Sequence, residues 1–120
     1  MTDVSQAFAL YDKEEIMITV KPYHQTWNTG YIVEGHAEYA EHGHDIVCAS
    51  VSAIAQATLL GLKKYTQVHF VMRDGYMRVQ IAKQESPEIL AIMTTFVRGV
   101  EAIANQYKEN VELKVGNLHE

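Results

Sequence analysis

A thiol and an imidazole near the middle of the sequence are the side chains best suited to covalent chemistry. Cys48 is the only cysteine in the 120 residues, and His36 precedes it across a segment rich in glycine and histidine. The thiolate, rather than the thiol, is the nucleophile, and an ordinary cysteine is mostly unionised at neutral pH. A nearby histidine is a common activating base. The sequence therefore predicts Cys48 as a nucleophile and His36 as its base.

The predicted position of Cys48 in a helix adds a second source of activation. Asp45 is a favourable N-cap residue for a helix over 46–62, which places Cys48 in the first turn. The partial positive charge of a helix N-terminus stabilises a thiolate there. The carboxylate of Asp45 opposes ionisation of the thiol, but it is also suited to hold His36 in the correct tautomer as the third member of a triad. Both roles of Asp45, cap and orienting group, stay open.

Two further histidines, His42 and His44, are rival bases or solvated loop residues. Together with His36 and Cys48 they offer imidazole and thiolate donors to zinc. The spacing H-x5-H-x-H-x3-C matches no common zinc-finger pattern, and a second cysteine is missing. We therefore predict neither a metal ion nor a cofactor. The alternative without chemistry is that Cys48 packs as a small buried hydrophobe.

The segment between His36 and Cys48 is bracketed by Gly35 and Gly43, which serve either as turn residues or as hinges of a lid over substrate. Three tyrosines are expected to be exposed and to line a groove beside it: Tyr31, Tyr39 and Tyr76.

Composition limits the classes of protein to which the chain can belong. A length of 120 residues with 48% hydrophobic residues suits a single domain. The formal net charge of -5 argues against the broad basic surface of a nucleic-acid-binding protein. We see neither a signal-type start nor a run long enough to span a bilayer. The expectation is a cytoplasmic protein without an internal disulfide.

The predicted elements alternate between strands and helices. In chain order they are strands over 16–20 and 31–33, the helix over 46–62, strands over 68–72 and 77–81, a helix from Ser86 and Pro87, and a strand over 111–115. Pro22 is expected to end the first strand, Asn28 and Gly30 to form a turn, and Asp74-Gly75 to join a hairpin. We predict an arm over 1–14 and one α+β domain over 15–117, with about five strands in a mixed or antiparallel sheet and two helices.

The stretch GHAEYAEHGHDIVCASVSAI, over residues 35–54, resembles the signature GHA…GxDIVCAxxSA of the bacterial ribosomal-processing cysteine proteases, the Prp family. Outside this stretch the similarity is carried by chain length and element order, with an opening ITV strand, the Asp-Gly hairpin and a long second helix. Ser50 stands where the family commonly has glycine, and the arm before the first strand is longer than usual.

The resemblance implies a cytosolic, homodimeric peptidase that removes a short N-terminal extension from the precursor of a large-subunit ribosomal protein. The family nucleophile matches Cys48, the base His36 and the supporting aspartate Asp45. The family's small positions near the site fall on Ala49, Ser52 and Ala53, and its mobile substrate loop on a segment that contains Gly35, Gly43 and His44.

Backbone donors at the helix start near Cys48 are expected to form the oxyanion hole, and an acidic surface suits a basic ribosomal protein. The alternatives are a non-catalytic ribosome-associated binding protein and a zinc-binding regulator.

Overall fold

The computed structural model of the protein describes residues 17–25, 27–35, 42–83 and 86–115, with only the backbone for 42–45. The elements in chain order are β1 (Ile18–His24), β2 (Asn28–Glu34), α1 (His42–Lys63), β3 (His69–Arg73), β4 (Tyr76–Ala82), α2 (Pro87–Gln106) and β5 (Val111–Leu113). The predicted order of strands and helices is confirmed. The predicted arm over 1–14 lies outside the described residues, and the domain boundaries at 15 and 117 stay a prediction.

The five strands form one mixed sheet in the order β3-β4-β2-β1-β5. Only the pairing of β1 with β5 is parallel, and the other neighbours are antiparallel. This confirms the predicted α+β fold with two helices and five strands. Of the two strands at the edges of the sheet, β3 is the longer one, and its outer side has no partner strand in the described part of the chain.

Period-two and helical patterns build the core between the sheet and the two helices. In β4 every second residue is buried, namely Met77, Val79 and Ile81, as the hairpin pattern predicts. In α2, Ser86 is the N-cap and Pro87 the first residue, and the buried stripe contains Ile89, Phe96 and Val100. The facing stripe of α1 contains Val47, Val51, Ala55, Leu59 and Leu62.

Pro22 does not end β1, and this prediction is wrong. The backbone N–H of Ile18 donates to Asn110 O, and the carbonyl of Val20 accepts from Lys114 N, so alternate residues of β1 face the β5 side. Pro22 faces the same side, but the paired part of β5 ends opposite Val20. The missing N–H of the proline therefore removes no bond of the sheet, which lets the strand run on to His24.

Asn28 and Gly30 lie in β2 instead of in a turn, which corrects a second prediction. A Cβ at position 30 would run into the carbonyl oxygen of Val79 and would also approach the hydroxyl of Tyr23. That hydroxyl donates to Val79 O at 3.2 Å and is buried over the outer face of the sheet. Gly30 thus makes room for a tyrosine of the neighbouring strand.

Tyr31 is fully buried, although it was predicted to be exposed. Its ring stacks on Phe96 of α2 with 4.2 Å between the ring centroids. Its hydroxyl donates a 2.7 Å hydrogen bond to the carbonyl oxygen of Ala55 in α1. One side chain of β2 therefore contacts both helices.

The α1 helix is apolar enough to resemble a membrane-spanning segment. Within the described residues one segment, Ile46–Lys63, is long and apolar enough to cross a membrane, so the statement that no run reaches this length is wrong. A core helix passes the same test, and α1 buries one stripe against the sheet. Within the described part of the protein, 33% of that segment is buried.

Tyr31→Phe tests the contact between β2 and α1. Losing the hydrogen bond to Ala55 is expected to lower the free energy of unfolding by about 1 kcal/mol at pH 7. Burial raises the pKa of the Tyr31 phenol above its ordinary value of 10.0, so the folded state retains a proton that the unfolded state loses. The associated stability is complete below pH 10 and falls as the pH rises above it.

Urea denaturation at pH 7 and at about pH 10.5 measures both effects. Tyr31→Phe should lose less stability between these two pH values than the wild type does. Tyr65→Phe, at an exposed tyrosine, is the control. Parallel losses in the wild type and in Tyr31→Phe would contradict the assignment.

Candidate active site

The helix that carries Cys48 begins at His42, earlier than the predicted start at residue 46. No proline interrupts residues 42–45, so the local sequence allows an additional turn. Gly43 and Asp45 therefore belong to the first turn of α1 instead of to a loop and an N-cap. Cys48 lies in the second turn.

This longer helix changes the predicted electrostatics around Cys48. The field of the helix dipole is concentrated in the first turn, so it supports a thiolate at Cys48 less than predicted. Free backbone N–H groups belong to the first four residues of a helix, and Cys48 lies beyond them. The longer helix moves its free donors to the turn before Cys48, and the oxyanion hole stays a prediction.

Cys48 is a free cysteine that is partly exposed and packs against the edge of the core. It lines a cavity of about 170 Å³, which we call the Cys48 cleft. One wall is α1, the second is the turn between β3 and β4, and the floor is formed by the adjoining ends of β1 and β2. Its lining includes Gly35, Cys48, Ser52, Gln56, Met72, Gly75 and Tyr76.

The α1 wall of the cleft is polar next to the thiol. Cys48, Ser52 and Gln56 recur at four-residue steps and share one side of the helix. The Gln56 side-chain amide donates to Ser52 Oγ at 2.8 Å. Ser52, predicted as a small packing residue, lines the cleft, whereas Ala49 and Ala53 are exposed.

Gly35 fixes the end of β2 at the floor of the cleft. Its φ of +100° lies in the left-handed region, and a Cβ there would run into the carbonyl oxygen of Met17. Its N–H donates to Gly75 O at 3.0 Å, which ties β2 to the turn of the β3–β4 hairpin. Gly75 also has a positive φ, of 75°, as the predicted Asp74-Gly75 turn requires. Gly35 therefore anchors the end of β2. Glycine is required there because of the positive φ and because a Cβ would collide with Met17.

The hairpin wall supplies aromatic and apolar surface. The Arg73 guanidinium lies over the Tyr76 ring, 4.2 Å from its centroid. Tyr76 lines the cleft, as the sequence predicted. Met72 and Met77 also line it, and sequence reasoning missed them as site residues. The available signal was the period-two pattern of the two strands, which predicts that Met72 shares a face with Phe70 and Met77 with Val79 but does not predict a cleft.

The other predicted site residues lie where the structure describes no side chains. His36 and Tyr39 lie outside the described residues, and for His42, Gly43, His44 and Asp45 the structure describes only the backbone. The part of the chain with described side chains contains no group of three or more His, Cys, Asp or Glu residues that could hold a metal ion. The histidines of the zinc hypothesis fall outside that set, so the hypothesis stays untested.

A family model described as cysteine protease Prp matches residues 17–112. The chain belongs to the Prp family of cysteine proteases. The ribosomal processing cysteine protease Prp of Staphylococcus aureus is 29% identical over 89 residues, which cover 71% of this chain and 84% of that protein. This membership agrees with the predicted enzyme class and opposes the interpretation as a non-catalytic binding protein.

Two crystal structures of S. aureus Prp share the fold. The complex with a substrate peptide superposes with a TM-score of 0.73 at 25% identity, covering 83% of this chain and all of that one. The complex with a covalently linked product peptide gives a TM-score of 0.70 at 26% identity, with the same coverage. The Cys48 cleft thus belongs to a fold that binds peptides in a relative.

Adding a methyl group at two glycines should have opposite effects on stability. Gly35→Ala places a Cβ against Met17 at a positive φ, so we expect a loss of about 1–3 kcal/mol. Gly61→Ala, inside α1, meets only ordinary contacts with Ile92 and should gain about 0.5–1 kcal/mol from helix propensity. Thermal denaturation of the two variants measures both signs. Equal stability of Gly35→Ala and the wild type would contradict the strain assigned to position 35.

Proposed function

We propose that this Prp family member is an endopeptidase that removes the N-terminal extension from the precursor of a large-subunit ribosomal protein, with Cys48 as nucleophile and His36 as base. The observation that carries the proposal is the position of Cys48, a free and partly exposed cysteine in a cleft whose floor includes Gly35. His36 is the next residue in the sequence after Gly35. The relatives' activity in ribosomal processing supports the substrate class.

In the proposed reaction the Cys48 thiolate attacks the carbonyl carbon of the scissile peptide bond. The carbonyl π electrons move to oxygen and form a tetrahedral oxyanion. Its collapse breaks the C–N bond, and the protonated His36 gives its proton to the leaving amine. A thioester to Cys48 remains. His36 then takes a proton from water, whose oxygen attacks the thioester, and the thiolate leaves as the acid product forms.

Asp45 and the segment after Gly35 have supporting roles in this proposal. The carboxylate of Asp45, in the first turn of α1, orients the His36 imidazole and stabilises its charged form. Residues 36–41 connect the anchored Gly35 to the start of α1, and in this proposal they contact the substrate together with Gly43 and His44 of the first turn of α1. The fixed conformation of Gly35 supports this arrangement because it sets where the loop leaves the sheet.

We also propose that the protein is a cytoplasmic homodimer, as the family resemblance implies. Exposed apolar side chains on the helical layer, at Ile46, Leu60 and Leu90, support an additional contact surface. Light scattering across a range of concentrations measures the mass, and a monomer at every concentration would exclude the dimer.

Incubation of the precursor ribosomal protein from the same cell with enzyme tests the reaction. Wild-type protein should yield a truncated product with a new N-terminus, and Cys48→Ser should reduce the cleavage rate by on the order of 10⁴-fold or more, because it removes the nucleophile. Thr95→Ala, which deletes an exposed hydroxyl on α2, is the control and should cleave normally. Mass spectrometry identifies the scissile bond. An intact precursor after incubation with folded wild-type enzyme would contradict the proposed function.

Alkylation of Cys48 by iodoacetamide at pH 7 tests the base separately from the substrate. His36→Ala should slow alkylation by roughly tenfold, because the imidazole no longer stabilises the thiolate. His44→Ala distinguishes the rival base and should leave the rate unchanged. A loss of rate only in His44→Ala would transfer the role of base to His44.

A further inference from the structure

The described part of the chain begins beside the Cys48 cleft. Ile18, the first residue of β1, lines the cleft, and a Cβ at Gly35 would meet the carbonyl oxygen of Met17. Gly35 is also bonded to Gly75 in the turn of the β3–β4 hairpin. Sixteen residues precede Met17 in the sequence, and we call residues 1–16 the N-terminal segment. The segment therefore joins the sheet at the floor of the cleft.

The N-terminal segment is long enough to reach and cross the cleft. The α1 wall rises about 12 Å from Cys48 to Gln56, at about 1.5 Å per residue. Extended chain covers about 3.3 Å per residue, so the stretch from Leu10 to Met17 spans about 23 Å when extended. Leu10 and the residues before it therefore come within reach of the whole cleft.

The segment and the cleft match in polarity. The cleft presents the apolar side chains of Val33, Met72 and Met77. Phe8 and Leu10 are alternate residues of the segment, so in an extended chain their side chains point to the same side. Methionine adapts its shape to different apolar partners. The segment thus offers two large apolar side chains to an apolar surface next to its own point of attachment.

The segment also carries charge opposite to that of a cleft residue. Arg73 lines the cleft with its guanidinium over the Tyr76 ring, and it forms no ion pair within the described part of the chain. Asp74 is the other charged residue of the described lining. The segment contains four acidic residues and one basic residue, and two of the acidic ones, Glu14 and Glu15, lie near its C-terminal end. Their carboxylates therefore come within reach of the hairpin turn, where Arg73 has the opposite charge.

We propose that the N-terminal segment lies across the Cys48 cleft of its own chain and blocks the thiol when no substrate is bound. Phe8 and Leu10 contact the apolar surface of the cleft, and the carboxylates of Glu14 and Glu15 lie beside Arg73. The segment is thus an autoinhibitory element that a substrate must displace. The block of the thiol needs no catalytic activity, whereas its effect on cleavage rests on the proposed function.

Attachment to the same chain makes a weak contact sufficient. A segment joined directly to the floor of the cleft has an effective concentration on the order of 1 mM there. A contact with an intrinsic Kd of about 0.1 mM then leaves the cleft free about one tenth of the time. A precursor still enters by competition, so the wild-type protein retains measurable activity.

Serine substitutions within the segment test the apolar contact. Phe8→Ser/Leu10→Ser should raise the rate of Cys48 alkylation by iodoacetamide about tenfold, because the thiol is no longer covered. Ala7→Ser/Ala9→Ser introduces the same hydroxyls at neighbouring positions without removing a large apolar side chain, and it should leave the wild-type rate unchanged. The rates should not depend on protein concentration, because the segment acts within its own chain.

Salt tests the ionic contact. Raising the NaCl concentration screens the attraction between the segment and Arg73, so alkylation of the wild type should become about two- to threefold faster. Glu14→Gln/Glu15→Gln should begin at the higher rate and respond less to salt. Iodoacetamide is uncharged, so screening does not act on the reagent. Equal salt responses in the two proteins would overturn the ionic contact.

Adding the segment back as a separate molecule tests occupancy of the cleft. A synthetic peptide of residues 1–16, at about 1 mM, should slow alkylation of Phe8→Ser/Leu10→Ser towards the wild-type rate. The same peptide with serine at positions 8 and 10 should not. Protection by the first peptide alone would show that the fast alkylation comes from an open cleft and not from a loss of folding.

Cleavage of the precursor distinguishes this inference from the proposed function. Fast alkylation of Phe8→Ser/Leu10→Ser, protected by the peptide, with an intact precursor in every reaction would support the segment and overturn the proposed reaction. Equal alkylation rates in the wild type and both double-serine variants would overturn the segment, whether or not the precursor is cleaved. A wild-type rate that falls as protein concentration rises would place the segment on a second copy and overturn the block within one chain.

Discussion

The buried Tyr31 side chain fixes the positions of the two helices on the sheet. It lies at the centre of the sheet, its ring stacks on Phe96 of α2, and its hydroxyl bonds to Ala55 of α1. A phenol without a partner at this depth would be costly, so the 2.7 Å hydrogen bond fixes where α1 crosses the sheet. Cys48 lies two turns before Ala55 on the same helix. The position of the thiol over the sheet therefore depends on this contact.

The second constraint acts at the end of β2, the strand that contains Tyr31. Gly35 closes the strand with a backbone hydrogen bond to the β3–β4 turn, in a conformation that a side chain would strain. Tyr31 thus fixes the position of α1 over β2, and Gly35 fixes the point at which the chain leaves β2. The Cys48 cleft is the space between these two fixed points. In the proposed mechanism, the contact of Tyr31 with α1 positions Cys48, and Gly35 positions the start of the segment that carries His36.

The apolarity of α1 follows from its position between the core and the Cys48 cleft. One stripe packs on the sheet, and the uncharged side next to it lines the cleft with Ser52 and Gln56. The same composition that makes the helix resemble a membrane span therefore suits a helix that has one side in the core and an uncharged side on the cleft.

The sequence by itself determined the local structure and the class of chemistry. The Asp-Gly turn, the cap at Ser86 followed by Pro87, and the alternation in β4 are local signals, and the order of elements followed from them. The single cysteine with its surrounding motif led to the protease family. These features depend on residues close together in the chain, so their physical causes are visible in the printed sequence.

Only the tertiary structure decided the features that depend on a neighbouring strand or helix. Pro22 is tolerated in β1 because β5 is too short to pair with it, Gly30 lies in a strand because Tyr23 needs the space, and Tyr31 is buried because two helices cover it. Likewise, Met72 becomes a cleft residue because the helices leave β3 uncovered. The strand propensity of a segment does not reveal which strand or helix lies beside it. Packing between segments that are distant in the sequence therefore decides which side chains are buried and which line the cleft.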